Sequence, residues 1–396
     1  MLPTAKIVND PVHGFIRLPQ GRILQVLHHP IVQRLRRLSQ LGLAQFVYPG
    51  AVHTRFAHAL GVMHLADEAL SQLTKKGVSI SSSTWEAVLL AALLHDIGHG
   101  PFSHSLEGKI LPLSHEDIGL LLLDVLEREV GDLSEVRALW EKKHSSAFLS
   151  ELISSQLDVD RLDYLVRDSF FTGVQEGLVG TERLIHTMAV SQNHLVIEEK
   201  GLTSVEKFII TRRFMYWQVY LHKGVVGAEW LLRRWWEALC YEDSALSPLK
   251  EIKRRDALDE VEGFIGLDDT VIWYWVQRLA TEATFPPLRA LSRAILWRRP
   301  YKVIFGDANA LAEHLALWEA SLPPKALPWR EWFQIEGVAE NRTYHLEPMG
   351  EIRILRKDGS CLSLTEMSPW LEALGTPMRR TFAGVIPAVW LESLLP

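Results

Sequence analysis

The apolar positions of this chain follow a helical period over most of its length, and residues 87–94 (AVLLAALL) are wholly apolar. Leu and Ala outnumber β-branched residues there, so the segment predicts a buried helix. It is too short to cross a bilayer, which takes about 20 residues. Ser83 and Glu86 have the spacing of a capping box and predict the start of this helix. The glycines and the proline of residues 98–101 predict its end.

Other segments show the same helical spacing, and two short ones alternate as strands do. The helical segments are 21–43, 51–76, a stretch that begins at Ser114, 151–171, 205–238 and 286–297. The alternating segments 6–18 and 351–364 predict β-hairpins. Beyond residue 300 the apolar runs are shorter and proline is more frequent. The sequence therefore predicts a mostly α protein: a helical bundle with short β-hairpins over residues 1–300 and a small C-terminal α+β region over 301–396.

Composition and charge narrow the class of protein. The chain has 396 residues, of which 47% are hydrophobic and 23% charged, as in ordinary soluble proteins. Its net charge of -6 argues against a nucleic-acid partner, which usually requires a basic surface. With two cysteines and no disulfide framework, and with no signal peptide or membrane span visible, we expect a cytoplasmic protein that does not associate with membranes.

The candidate chemistry lies where the apolar helix breaks. His95, Asp96, His99 and His104 follow it within ten residues. An unpaired buried charge is costly, so a buried imidazole beside a buried carboxylate needs a partner. A metal ion satisfies both groups. This segment is therefore the first candidate for a metal site.

Two more residues complete a plausible ligand set. His58 shares a helix face with Arg55, three residues earlier, although a lone helical histidine is more often structural. Asp160 begins a polar stripe on the 151–171 segment. Two imidazoles and two carboxylates, from His58, His95, Asp96 and Asp160, suit a first-row divalent ion such as Mn, Fe, Co, Ni or Zn. Such an ion activates water for hydrolysis of a phosphate ester.

Further histidines can move protons near such an ion. His99, His104 and His115 are candidates, because the pKa of histidine lies near working pH. Glu107, three residues after His104, has the spacing to fix the tautomer of that imidazole. These residues complete the predicted catalytic group.

Two charged patterns have alternative interpretations. Arg34, Arg36 and Arg37 are either a solvated face or a phosphate contact. The stripe from Asp160 to Asp168 is either a salt-bridged surface helix, with an i,i+4 ion pair inside it, or a surface that contacts sugar and phosphate. His53 and His64 are interpreted as structural residues.

At this point the pattern is similar to a known family. The order His58, His95-Asp96, Asp160 resembles the metal-binding signature of HD-domain phosphohydrolases. The segments NDPVHG, YPGAVHTRFAHALGV, LLHDIGHGPFSH and DVDRLDYLVRD resemble the deoxynucleoside triphosphate (dNTP) triphosphohydrolase branch of that family. The resemblance implies a helical HD-domain bundle with its motif core at about residues 50–170.

The resemblance also implies roles for individual residues. Water would attack the α-phosphorus of a dNTP, releasing a deoxynucleoside and inorganic triphosphate. His104, supported by Glu107, would be the catalytic acid or base, and His99 and His115 would line the α-phosphate or a second metal. The metal ligands would be His58, His95, Asp96 and Asp160; the triphosphate would meet Arg55, Arg161, Lys223 and Arg212; the sugar would meet Gln40, Tyr164, Asp168 and Tyr220.

The family further implies Mg with the triphosphate, a homo-oligomer of two to four copies, and a nucleotide activator. Two other functions stay open on the sequence. One is a different HD-domain phosphatase or phosphodiesterase that acts on nucleoside monophosphates or cyclic nucleotides. The other is a nucleotide-sensing or single-stranded nucleic-acid-binding protein whose metal site is structural.

Overall fold

The computed structural model describes residues 4–242, 263–341, 351–375 and 377–395. Helices dominate this part of the chain, which confirms the predicted mostly α class. The helices are α1 (Arg22–His28), α2 (Pro30–Arg34), α3 (Arg55–Lys75), α4 (Ser82–Leu94), α5 (His115–Val130), α6 (Ser134–Trp140), α7 (Ala147–Ile153), α8 (Val159–Thr172), α9 (Thr181–Thr187), α10 (Leu202–Met215), α11 (Lys223–Tyr241), α12 (Asp269–Glu282), α13 (Pro286–Leu296), α14 (Ala308–Ala320), α15 (Leu364–Met367), α16 (Glu372–Gly375) and α17 (Ala388–Leu394).

Short strands form three small sheets. The strands are β1 (Thr4–Asp10), β2 (Gly14–Pro19), β3 (Met188–Ser191), β4 (His194–Glu198), β5 (Lys302–Phe305), β6 (Gln334–Asn341), β7 (Arg353–Leu355), β8 (Cys361–Ser363) and β9 (Met378–Val385). Their orders are β1-β2, β3-β4-β7-β8 and β5-β9-β6. The antiparallel pairs β1-β2 and β7-β8 are the two predicted hairpins.

Helix α4 is the buried centre of the bundle. All of residues 87–94 are fully or almost fully buried, as their composition predicts. The predicted start was wrong by two residues, because Ser81 is the cap and its Oγ accepts from Thr84 N at 3.0 Å. The helix ends at Leu94, and the turn that follows carries the first candidate ligands. Helix α3 packs against α4 on one side and against α8 on the other.

The N-terminal arginines have structural partners. The predicted helix over 21–43 is instead α1, α2 and a short 3₁₀ turn. Arg34 is buried and donates to the carbonyl oxygen of Leu267 at 2.8 Å. Arg37 pairs with Asp268, and the guanidinium of Arg36 lies 3.7 Å from the ring centre of Phe56. Arg34 is therefore a buried structural residue, whereas Arg36 and Arg37 are exposed, as the solvated-face interpretation expects.

Two features of the second half of the chain bear on the predicted helices and on the predicted domain boundary. The helical segment 205–238, which the sequence allowed to be one helix or two, is α10 and α11 joined by a π-helical turn at Tyr216–Tyr220. Strand β4 pairs in parallel with β7, so one sheet joins residues on both sides of position 300. One core cluster also extends from Ile16 to Leu395. The domain boundary at residue 300 stays a prediction.

Among the residues that the structure describes, none of the helices combines the length and the apolar character that a membrane crossing demands.

Gly61 permits the close approach of α3 to α8. A Cβ atom at this position would lie 1.8 Å from Asp163 Oδ1 and 2.5 Å from Arg167 Nη2. Both of those side chains are completely buried, so neither can move into solvent. The hydrogen atom of Gly61 is therefore a packing requirement of this helix pair.

We predict that Gly61→Ala destabilises the protein by about 2–3 kcal/mol through overpacking. This exceeds the gain of about 1 kcal/mol that alanine offers over glycine within a helix. Gly119→Ala is the matched control, because a Cβ there meets Trp140 at an ordinary 3.7 Å. Thermal and urea unfolding of both variants measure the difference. Equal stability of the two variants would contradict the packing account.

Candidate active site

Four predicted metal ligands converge at one point. His58 comes from α3, His95 and Asp96 follow α4, and Asp160 lies in the first turn of α8. His58 Nε2 lies 3.2 Å from His95 Nε2 and 3.0 Å from Asp160 Oδ1. His95 Nε2 lies 3.4 Å from Asp96 Oδ1 and 3.6 Å from Asp160 Oδ1. Residues separated by up to 102 positions in sequence thus present their donor atoms to one small volume.

Both imidazoles are oriented by a hydrogen bond at the other ring nitrogen. His58 Nδ1 donates to Asp163 Oδ2 at 2.7 Å, and His95 Nδ1 donates to the carbonyl oxygen of Ala92 at 2.7 Å. With Nδ1 engaged in this way, Nε2 is the ring nitrogen that each imidazole presents to the other predicted ligands. Such outer hydrogen bonds are the usual support of histidine metal ligands.

The carboxylate that holds His58 belongs to a larger buried network. Asp163 also accepts from His13 Nε2 at 2.6 Å and from Arg167 Nε at 2.8 Å. Arg167 in turn donates to Asp10 at 2.8 Å, at the end of β1. The Asp163–Arg167 pair is therefore fully buried and not a surface ion pair. Sequence spacing suggested the pair but not its burial or its contact with His58.

The electrostatic character of the centre favours a cation. Burial opposes protonation of His58, but hydrogen bonds to Asp160 and Asp163 outweigh it and raise its pKa to about 10. Two ligands of one ion, each at about 2.1 Å and at right angles, are about 3.0 Å apart. The separations of His58, His95 and Asp160 match that requirement. The residues present therefore fit a divalent metal ion of the first transition row.

A second cluster lies beside the first. The rings of His99 and His115 stack at 4.0 Å between centres, and His104 meets His99 edge to face at 4.9 Å. Glu107 bridges two of these imidazoles: Oε2 accepts from His104 Nδ1 at 2.7 Å and Oε1 from His115 Nδ1 at 2.5 Å. These hydrogen bonds lower the pKa of Glu107 well below its ordinary value. The structure thus brings Glu107 to the position that the tautomer prediction requires.

Burial divides the histidines of this cluster. His99 is buried, and its burial together with the charge of Arg55 holds its pKa well below the ordinary value. The side chain of His104 is 65% exposed, whereas that of His99 is 4% exposed. His104 is therefore the most accessible histidine of this cluster, since the side chain of His115 is 24% exposed.

One cavity of about 610 Å³ joins the two clusters to the predicted substrate residues. A volume of this size is typical of small-molecule sites. Sixteen residues were predicted for the site, and fourteen of them line this cavity. The lining includes Gln40, Arg55, His58, His95, Asp96, His99, His104, His115, Asp160, Arg161, Tyr164, Asp168, Arg212 and Tyr220.

The guanidinium groups in the lining differ in their partners. Arg55 donates through Nη1 to Asp96 and through Nε to Ser103 Oγ, the latter at 2.9 Å. Arg161 pairs with Asp158, the N-cap residue of α8. Arg212 is buried, and its Nε and Nη1 atoms have no hydrogen-bond partner among the described residues. An unpartnered buried cation in a cavity is suited to receive an anion.

The cavity lining also contains a group of hydrogen-bonded polar side chains. Tyr220 donates its hydroxyl to Asp168 Oδ2 at 2.7 Å, and His53 Nε2 contacts Asp168 Oδ1 at 2.8 Å. Burial and the charge of Asp168 raise the pKa of Tyr220 well above its ordinary value, so it remains a hydroxyl donor. The ring of Tyr164 lies 6.3 Å from that of Tyr220. Asp160, Tyr164 and Asp168 of the stripe therefore line the cavity, whereas Asp163 and Arg167 of the same stripe are buried.

Within the described part of the chain, two predicted site residues are not in the lining of this cavity. Glu107 contacts the second cluster through its hydrogen bonds to His104 and His115, and Lys223 is exposed at the start of α11. Sequence reasoning also missed Glu229, a lining residue whose pKa is raised by burial. A carboxylate four positions before Arg233 in an amphipathic helix carries no signal that separates it from a surface ion pair.

Comparisons with known proteins identify the family to which this chain belongs. Residues 55–168 match the family model for the HD domain, and residues 179–266 match that for the HD associated region. The uncharacterized protein YwfO of Bacillus subtilis is 31% identical over 402 residues, covering 96% of this chain and 91% of YwfO. A crystal structure of a phosphohydrolase from Bacteroides thetaiotaomicron has a TM-score of 0.85 and 38% identity, covering 96% of this chain and 99% of that one.

The human deoxynucleoside triphosphate triphosphohydrolase SAMHD1 is 29% identical over 348 residues. That alignment covers 76% of this chain but only 55% of the human protein, so this chain spans about half of its relative. The chain belongs to the HD-domain phosphohydrolase family. Its predicted HD signature is confirmed at the family level, and HD domains bind divalent metal ions.

We predict that His58→Ala abolishes stoichiometric binding of a divalent ion. The loss should exceed the roughly 10–100-fold effect that is typical of an outer hydrogen-bond partner. His64→Ala is the matched control, because His64 lies on the same helix and contacts Glu68. Elemental analysis of both purified variants after dialysis against Mn or Zn measures the bound metal. Equal metal content in His58→Ala and His64→Ala would contradict the assignment.

Proposed function

We propose that the protein is a metal-dependent dNTP triphosphohydrolase, which hydrolyses dNTPs to a deoxynucleoside and inorganic triphosphate. The observation that carries this proposal is the composition of one cavity. It combines a set of side chains that fit a divalent metal ion, an accessible histidine with a carboxylate partner, a buried guanidinium with two donor atoms that lack hydrogen bonds, and a hydrogen-bonded tyrosine and aspartate. The similarity to human SAMHD1, which is named for this reaction, supports it.

The metal centre would be formed by His58, His95, Asp96 and Asp160. An ion of Mn, Fe, Ni, Co or Zn bound there would lower the pKa of water and polarise a phosphoryl oxygen. Burial acts to raise the pKa of Asp96, but the charge of Arg55 together with His95 and His99 outweighs burial and lowers it, so Arg55 helps to keep Asp96 ionised. Mg would accompany the triphosphate rather than occupy this centre.

The triphosphate would be held by cations of the cavity. Arg212 offers two free donor atoms, which suit the paired oxygens of a phosphate group. Arg161 lies 26% exposed beside the metal centre and can contact a further phosphate. Lys223 stays a prediction from the family, because it lies outside the cavity lining.

His104 would supply the proton that the leaving 5′ oxygen requires. Its Nδ1 is occupied by Glu107, which leaves Nε2 for the substrate. The water oxygen would form the new bond to the α-phosphorus while the bond to the 5′ oxygen breaks, and the 5′ oxygen would take the Nε2 proton. One proton of the attacking water would leave to solvent, and a solvent proton would restore the imidazolium. Glu107 stabilises the imidazolium before the transfer. His99 and His115 would contact the α-phosphate, with His115 held through its own bond to Glu107.

The sugar would lie against Tyr164, Asp168 and Tyr220, with Gln40 on the opposite side. The Tyr220–Asp168 hydrogen bond fixes this wall, so a 2′-hydroxyl would have to displace it. The Oε1 atom of Gln40 is buried and has no partner among the described residues, which leaves an acceptor for a ligand. A homo-oligomer of two to four copies and a nucleotide activator stay predictions from the family.

We predict that the protein converts dNTPs to deoxynucleoside and triphosphate and acts on ribonucleotides at least about tenfold more slowly. Asp96→Ala should abolish turnover, because it removes a metal ligand and leaves Arg55 unpaired. Asp124→Ala is the control, since that carboxylate pairs with Arg137 outside the cavity. Ion-pair chromatography of reactions with each dNTP and ribonucleotide, with Mn and with Mg, resolves the products.

Other product patterns would select another function. Release of single phosphate or of pyrophosphate would indicate a different HD-domain phosphatase or phosphodiesterase. Salt-sensitive binding of single-stranded nucleic acid without turnover of any nucleotide would indicate a binding protein with a structural metal site.

A further inference from the structure

The loop that carries His104 has an unusual backbone. Phe102 and Ser103, which directly precede His104, have φ angles of 53° and 56°. Both therefore lie in the left-handed region, which residues with a Cβ atom avoid and which rarely occurs twice in succession. Both residues are also buried. A backbone of this kind persists only where the surrounding structure holds it.

The side chain of Asp269 accepts a hydrogen bond from the backbone of this loop. Asp269 is the first residue of α12, lies 167 positions further along the chain than Phe102, and is 5% exposed. Its Oδ1 atom accepts from Phe102 N at 2.7 Å, and its Oδ2 atom accepts from Ser39 N at 2.8 Å. One carboxylate therefore joins the His104 loop to the segment that carries Gln40.

Two further contacts fit the same arrangement. Ser103 Oγ donates to the carbonyl oxygen of Ser39 at 2.8 Å, so the two segments are also joined directly. Trp273, on the next turn of α12, meets the ring of Phe102 edge to face at 5.9 Å. Residues of helix α12 thus contact both the backbone and the side chain of Phe102.

We propose that Asp269 is a positioning residue for catalysis: its carboxylate holds the left-handed Phe102–Ser103 backbone and thereby sets the place of His104. This inference rests on the proposed function, in which His104 gives a proton to the leaving oxygen. Asp269 contacts neither the metal ligands nor the cavity, and it lies outside both segments that match the family models.

The adjacent aspartate provides a matched control. Asp268 caps α12 by accepting from Thr270 N at 2.9 Å, and it pairs with Arg37. Asp268→Asn therefore weakens the same end of the same helix without touching Ser39 or Phe102. Asp269→Asn keeps the shape and one acceptor oxygen, but it turns an amide N–H group toward a backbone N–H group. The two variants separate loop positioning from general helix stability.

The test combines hydrogen exchange with steady-state kinetics on the full-length, metal-loaded protein. In Asp269→Asn we expect exchange in the peptide that spans residues 97–107 to be about tenfold faster or more. We expect kcat for a dNTP to fall about 10–100-fold with little change in KM and unchanged metal content, because a small misplacement of His104 is costly. In Asp268→Asn both quantities should stay within about twofold of the unmodified protein. If Asp269→Asn does not fold, Asp269→Glu, which moves the carboxylate by one methylene, replaces it.

Three outcomes of these measurements would count against the positioning role or the proposed function. Equal exchange in the two variants, or equal kcat, would overturn the positioning role. A fall in kcat with parallel loss of metal would also overturn it, because the effect would then reach the metal centre. If the unmodified protein turns over no dNTP, the proposed function fails, and the exchange comparison still decides whether Asp269 holds this loop.

Discussion

The site depends on one buried carboxylate, that of Asp163. It accepts hydrogen bonds from His58, His13 and Arg167, and it therefore ties a metal ligand to the N-terminal hairpin and to α8. Removing one partner of such a buried ion pair typically costs about 3–5 kcal/mol, because the other charge is left unpaired. The packing around this carboxylate is also tight, because one methyl group at Gly61 would collide with it.

That arrangement makes stability and ligand geometry parts of the same network. His58 offers Nε2 to the metal centre only while Nδ1 donates to Asp163. Asp96 is held in a comparable way by Arg55, whose Nε is in turn bonded to Ser103 of the His104 loop. The Arg55–Ser103 hydrogen bond therefore links the support of one predicted metal ligand to the His104 loop, so a change at Arg55 itself is expected to reach both groups.

The local patterns of the sequence predicted much of this. The buried α4 helix, both hairpins and the helix that follows Ser114 were predicted from spacing and turn residues alone. The four metal ligands were predicted because His95 and Asp96 are adjacent at a helix end, because His58 and Asp160 stood out on two other helical segments, and because the family resemblance implied the same set. The alternatives for Asp163 and Arg167 could not be separated from the sequence, because an i,i+4 ion pair looks the same on a surface as in a core. What decides between them is the contact with Asp10 and His13, about 150 positions away.

Asp269 could not be predicted from the sequence for the same reason. Its partners are backbone N–H groups of Ser39 and Phe102, which lie in distant segments of the chain.

The central claim is that the centre directs water to the α-phosphorus of a dNTP. Hydrolysis of one dNTP in water labelled with heavy oxygen, followed by mass spectrometry of both products, tests it most directly. Attack at the α-phosphorus places the heavy oxygen in the triphosphate and leaves the deoxynucleoside unlabelled. Heavy oxygen in the deoxynucleoside, or a nucleoside monophosphate among the products, would contradict the account.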